Sequence, residues 1–215
     1  MKILAIDFSS GERSVAVWND GVESEVLETN PQTANALGMM DAALRGAKLE
    51  REEIETVVVG LGPGSYTGIR ASIALAQGWQ LARGVKLLGI SSAEAIAVQA
   101  QAFGTRGEVT IVIDAQRGEF YSATYDLTEE QAREIAKLKI VSADELRAKS
   151  VNGGTLIGPE VTRWFPNGKI ISSRAKILAR LASEGGREFV SGEKLEPIYL
   201  RETTFVKAPP ARVIG

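Results

Sequence analysis

Met1 to Phe8 (MKILAIDF) forms an apolar run of strand length interrupted by Asp7, and reads as a buried strand. Ser14 to Trp18 and Val22 to Leu27 follow as two further strands, set off by turn signals at Ser9-Ser10-Gly11 and Asn19-Asp20-Gly21. The second signal points to a hairpin, because these residue types tolerate the positive φ that tight turns need. After Pro31 the period changes: Leu37, Met40, Leu44 and Ala47 recur at steps of three and four, which predicts a helix from about 33 to 47. Thr56 to Gly60 (TVVVG) is a short β-branched run, as expected for a central strand covered on both faces.

A second helix is expected from about 67 to 83, with Gly84 as its stop. Ala71, Ile73, Ala74, Leu75, Ala76, Trp79, Leu81 and Ala82 leave it little polar stripe, and such a helix is normally covered on more than one side. Lys86 to Gly89 reads as a strand, and Ser92 to Ala102 as a third helix, capped by Ser91 or Ser92 with Glu94 near its start. Three antiparallel strands, then helix, strand, helix, strand, helix is the order of a ribonuclease-H-like unit.

A second cycle begins at Glu108. Val109 to Asp114 again ends a hydrophobic strand in aspartate, and Glu119 to Asp126 alternates as the next strand. Beyond Thr128 the pattern weakens, leaving Glu134 to Val141 unassigned before a helix near 143–149, a short strand at Leu156-Ile157 and a helix near 173–184. Gly104 and Gly107 interrupt both periods and place a lobe boundary at Phe103 to Gly107. The expected fold is therefore α/β, with two ribonuclease-H-like lobes, 1–105 and 106–215, each a mixed sheet with helices. The second lobe is the smaller and more degenerate, its tail packing back on the first.

Composition narrows the chemistry. The chain has 215 residues and 44% hydrophobic content, enough to bury two cores, and contains neither cysteine nor histidine. Disulfides, thiolate nucleophiles, histidine metal ligands and Ser-His-Asp triads are thereby excluded. Up to Thr105 there are 8 basic and 12 acidic residues, and 17 and 15 beyond it, so neither half is a basic platform for gripping nucleic acid alone. The opening run is too short and too acidic for a signal peptide and no stretch approaches membrane-spanning length, so a cytoplasmic protein is expected.

Between the TVVVG strand and the second helix lies Gly60-Leu61-Gly62-Pro63-Gly64-Ser65-Tyr66-Thr67-Gly68-Ile69-Arg70. Its glycines allow positive φ and close backbone approach, and a loop of this kind at a helix N-terminus can hold an anion. The lysine of a Walker A loop is missing, and the dinucleotide glycine pattern is not met. As a plain connector, the loop would need only Thr67 as an N-cap. The string Gly-Pro-Gly-Ser-Tyr-Thr-Gly-Ile-Arg nevertheless closely resembles the signature of the bacterial TsaB (YeaZ) family, a non-catalytic part of the machinery that makes N6-threonylcarbamoyladenosine at position 37 of tRNA. The resemblance extends to Met1–Asp7 with Ser9, Ser14-Val15-Ala16-Val17, Gly89 to Ala95, Ile113-Asp114-Ala115 with Arg117-Gly118-Glu119-Phe120-Tyr121, and Pro197 to Arg201. It departs at Gln32, Ala34, Leu61 and Gln116, where the family often carries other polar residues or arginine.

The resemblance implies an actin-like ATPase fold. Asp7, Ser9 and Ser10 then stand where such kinases place the first phosphate loop, with Asp114 at the equivalent strand end of the second lobe; each aspartate could equally fix its own turn. It also implies a subunit that is no enzyme alone, needs no cofactor or metal of its own, and docks on the catalytic paralog TsaD to enable binding of the ATPase TsaE. ATP or ADP with Mg would bind at the complex interface, and tRNA would be met only through the complex. The docking surface is expected on the first two helices, at Leu37, Met40, Leu44, Ile73, Leu75, Ala76 and Trp79, with Met39 adjoining, and weak homodimers through the same helices. The alternative is an ATP-dependent small-molecule phosphotransferase using Asp7 for metal and the glycine loop for phosphate.

Overall fold

The computed structural model describes residues 1–30 and 35–200. Its first sheet opens with a meander: β1 (Lys2–Asp7), β2 (Arg13–Asn19) and β3 (Val22–Glu28) are joined by short turns, with Asp20 and Gly21 both at positive φ in the second. Two parallel strands complete it on the other side of β1, β4 (Thr56–Gly60) and β5 (Lys86–Ile90), in the order β3-β2-β1-β4-β5. Residues 2 to 7 pair in register with 19 to 14, and Ile3 to Ile6 with Thr56 to Val59.

α1 (Ala36–Gly46) and α2 (Tyr66–Arg83) cover one face of this sheet. α1 is capped by Asn35, whose side chain accepts from the Gly38 N–H. The expected start of this helix near 33, with Gln32 and Ala34, lies outside the described residues. α2 begins one residue before its expected start, with Ser65 rather than Thr67 as the cap: its hydroxyl accepts from the Gly68 N–H at 3.3 Å. Gly84, left-handed at φ 69°, ends the helix as predicted.

The second sheet has the order β10-β9-β6-β7-β8, built from β6 (Gly107–Asp114), β7 (Glu119–Leu127), β8 (Ala132–Ser142), β9 (Thr155–Gly158) and β10 (Lys169–Ile170). The segment left unassigned in the sequence is β8, whose mostly exposed outer positions and irregular register with β7 erase the alternation. α4 (Ala143–Val151) packs on the outer face around Leu146, with Phe120, Val141 and Phe165.

Between the two sheets lie α3 (Ser92–Ala102) and α5 (Ala175–Ser183). Ala95 and Val98 of α3 join α5 against Ile3, Ala5, Val58 and Leu88 of the first sheet. Ala93, Ile96, Ala97 and Ala100 face Val109, Ile111 and Tyr125 of the second. α5 follows the second sheet in sequence yet packs on β1, β2 and β4. Its start is fixed by distant partners: the Ala175 N–H donates to Ser14 Oγ at 2.8 Å and Arg174 pairs with Glu25 at 2.5 Å.

Candidate functional site

The glycine-rich loop closes on the turn after β1. The Ser65 N–H donates to the Ser9 carbonyl at 2.7 Å, Leu61 N–H to Ile90 at 2.8 Å, and Ser92 N–H to Gly62 at 2.8 Å. A Cβ on Gly64 would meet the Ser9 carbonyl oxygen at 2.0 Å, and one on Gly68 the Phe8 carbonyl oxygen at 1.9 Å. Gly62 and Gly64 also hold positive φ, and Pro63 follows Gly62 through a cis peptide. Gly64 and Gly68 therefore admit the backbone of the turn after β1 rather than a phosphate. The amides of Leu61, Ser65 and Gly68 are already bonded, and what Ser65 faces is a carbonyl, an acceptor that an anion would avoid.

Asp7 lies directly beneath. Its carboxylate accepts from the Ser9 N–H at 2.8 Å, the Ser9 hydroxyl at 2.6 Å and the Ser173 hydroxyl, and it is fully buried. Gly60 leaves it room, since a Cβ there would sit 2.5 Å from Asp7 Oδ2. Burial pushes the carboxyl above its ordinary range despite these donors. A carboxylate so enclosed, its oxygens already taken by Ser9 and Ser173, does not fit the metal-directing role of a kinase aspartate. Ser10 instead ties its own turn, its hydroxyl donating to the Glu12 carbonyl at 2.9 Å.

Asp114 likewise fixes a turn, accepting from the Gln116 N–H at 2.8 Å and its side-chain amide at 3.1 Å. Gln116, Arg117 and Gly118 all hold positive φ, and the Ala115 N–H donates to the Glu119 carbonyl at 2.9 Å. The second-lobe motif is thus a tight β6–β7 turn. Tyr121 points inward to the core. Among the described residues no group of three or more acidic side chains is placed to hold a metal ion.

The docking candidates separate. Met40, Leu44, Ile73 and Ala76 are buried in the core of their own lobe, as is Met39, so they have no surface to offer; their three- and four-residue spacing is that of an ordinary inward face. Leu75 and Trp79 are half-buried at its edge, and Leu37 is exposed. Nor is α2 covered on both sides, as its composition suggests. Ala71, Ala74, Gly78, Leu81 and Ala82 form an exposed stripe, uncovered among the described residues, with Leu81 91% exposed. The helix covered all round is α3.

A strap that no local pattern announces runs beside this stripe. The Val190 N–H donates to Leu87, Gly192 exchanges hydrogen bonds with Gln77 and Gln80 at 2.8 Å, and Leu195 is buried under α2. The Ile198 N–H donates to the carbonyl of Leu61, whose side chain fills the space left by Gly89. Tyr199 stacks on Tyr66 of the signature loop at 5.4 Å, and Arg70 lies over the Tyr66 ring at 5.2 Å.

Residues 29–182 match the family model described as TsaD: tRNA N6-adenosine threonylcarbamoyltransferase. A relative named tRNA threonylcarbamoyladenosine biosynthesis protein TsaB, from Escherichia coli, is 31% identical over 99% of this chain and 100% of its own. A Haemophilus influenzae protein of the same name is 28% identical over 97% and 98%. The solved structure of YeaZ from Pseudomonas aeruginosa superposes with a TM-score of 0.79 at 24% identity, covering 93% of this chain and 99% of that one.

Proposed function

The chain belongs to the TsaB (YeaZ) family, of the actin-like ATPase superfamily, and from that premise we propose that it is a non-catalytic docking subunit in tRNA threonylcarbamoyladenosine biosynthesis. Its partner on this reading is a TsaD-like paralog, which would contribute the histidines this sequence lacks. Docking would hold that paralog in a competent arrangement and help build the surface on which a TsaE-like ATPase sits. ATP or ADP with Mg, and tRNA, belong on this reading to the assembled complex in the cytoplasm. No helix among the described residues is long and apolar enough to cross a membrane.

The observation that carries the proposal is the stripe Ala71, Ala74, Gly78, Leu81 and Ala82 on α2, with small residues that let a second helix approach closely. An interface of standard size buries about 800 Å² on each partner. Left open, the same stripe supports weak self-association. The stripe, rather than the buried residues of α1 and α2, is the surface proposed.

The phosphotransferase reading is disfavoured because the glycine loop is shut on Ser9 and Asp7 is enclosed by Ser9, Ser173 and Gly60. The deciding experiment titrates the purified chain with the paralog and, separately, with ATP. Binding of the paralog that is lost in Leu81→Glu, without ATP turnover by the chain alone, supports docking. ATP turnover by the isolated chain would sink it.

A further inference from the structure

The outer face of the second sheet changes character along its length. At Val112 and Phe120 it is apolar and sealed by α4 and Phe165. Farther along the same strands it carries hydroxyls: Thr110 and Thr124 are cross-strand partners, Ser122 is two residues from Thr124, and all three are buried. Apolar residues would be the cheaper filling for such positions unless the hydroxyls meet a polar group.

One polar group is Lys149, in the last turn of α4, whose ammonium donates to Thr124 Oγ1 at 3.0 Å and to Thr110 Oγ1 at 3.4 Å. Because both hydroxyl oxygens accept from this cation, their own protons are left to donate elsewhere. Among the described residues Ser122 Oγ meets no side-chain partner, and it lines the same cavity of about 120 Å³. β8 supplies the rim. Ser122 pairs with Lys139 and Thr124 with Ala136, and this irregular register brings Lys137 and Lys139 to the opening. Glu145, the acid in the lining, pairs with Lys139 at 3.7 Å, so among the described residues Lys137 and Lys149 have no carboxylate partner.

The cavity is therefore rich in donors, poor in acceptors and positive, in a chain whose net charge is −2. We infer that it binds one phosphate group, with Ser122 and Thr124 donating from the floor and Lys137 and Lys149 from the wall. The space suits a small anion with its waters. The phosphate could come free in solution, as a small phosphate ester, or from an RNA backbone. This inference stands apart from the docking proposal, since it involves neither α2 nor the signature loop.

The test is an amide NMR titration of the ¹⁵N-labelled full chain with inorganic phosphate, at constant ionic strength set by chloride. Saturable shifts at Ser122, Thr124 and Lys149 with a Kd of about 1 mM or tighter are expected. Lys149→Gln and Thr124→Val should each weaken binding at least about tenfold, and Lys149→Arg should retain it. Urea denaturation of each variant separates lost binding from lost folding. Displacement by tRNA at the same amides would assign the phosphate to RNA, and saturation by phosphate with no response to tRNA would assign it to a small ligand; both support the site. No shift up to about 50 mM phosphate, or shifts spread over surface lysines and indifferent to Lys149→Gln, would overturn it.

Discussion

The Ser65 N–H donates to the Ser9 carbonyl at 2.7 Å, joining the loop after β4 to the loop after β1. The two loops hold one another. The glycines of the signature are thereby explained by a backbone-to-backbone contact in which Cβ atoms have no place.

Gly64→Ala and Gly68→Ala should each lower the unfolding free energy by about 2–3 kcal/mol, because the added methyl would meet a carbonyl oxygen at 2.0 or 1.9 Å. Urea denaturation measures this. Gly11→Ala is the control: no atom lies within 4 Å of a Cβ there.

Asp7 gives a pH dependence of unusual sign. Burial raises its folded-state pKa above the ordinary 3.8, so the folded chain keeps a proton that the unfolded chain has released. Its stabilising contribution is complete below the unfolded value and is lost as pH rises through the folded one. Asp7→Asn, which retains the shape, should therefore gain stability relative to the wild type as pH is raised from about 4 to 8. Denaturation midpoints across that range test it, and a constant difference between the two proteins would contradict it.

Ser173→Ala should cost about 1–3 kcal/mol by leaving one side of the buried Asp7 carboxyl without its donor. The loss should be larger than that of Ser10→Ala, whose hydroxyl serves only its own partly buried turn. Thermal unfolding of the two variants makes the comparison.

For docking, Leu81→Glu should leave the fold within about 0.5 kcal/mol of wild type, the usual range for an exposed site. Loss of paralog affinity by about 30-fold or more is expected if Leu81 is a central anchor. Leu44→Glu should instead unfold the chain, because it buries a charge among Met40, Val15 and Val17. Calorimetric titration read beside circular dichroism distinguishes the two.

Leu195→Ala removes the buried anchor of the strap and should cost about 2–5 kcal/mol. Limited proteolysis should then cut first between Arg187 and Lys194, whose hold on β5 and α2 rests on a few hydrogen bonds, the Lys86–Phe189 ring contact and the partly buried Val190.

Much of the fold was determined locally. The β1–β3 meander, β4, α3 and the Gly84 stop follow from alternation, β-branched runs and turn residues, because each is specified by neighbours in sequence. β8 was hidden, since a mostly exposed strand with an irregular register shows no buried period. The true start of α5 was equally hidden: Ser14 and Glu25, about 150 residues away, receive its first amides.

At the candidate site the order of residues is enough to identify the groups present: a glycine-rich loop, two aspartates at strand ends, a helix short of polar residues, and neither histidine nor cysteine. What those groups do follows from how distant segments pack together. Periodicity could not say which face of α2 was inward, because small and apolar residues lie all round it; packing on β4 buried Ile69, Ile73 and Ala76 and left Leu81 in solvent. Nor could spacing say that Ser173 would close over Asp7, because that contact spans 166 residues and depends on a helix after the second sheet returning to the first.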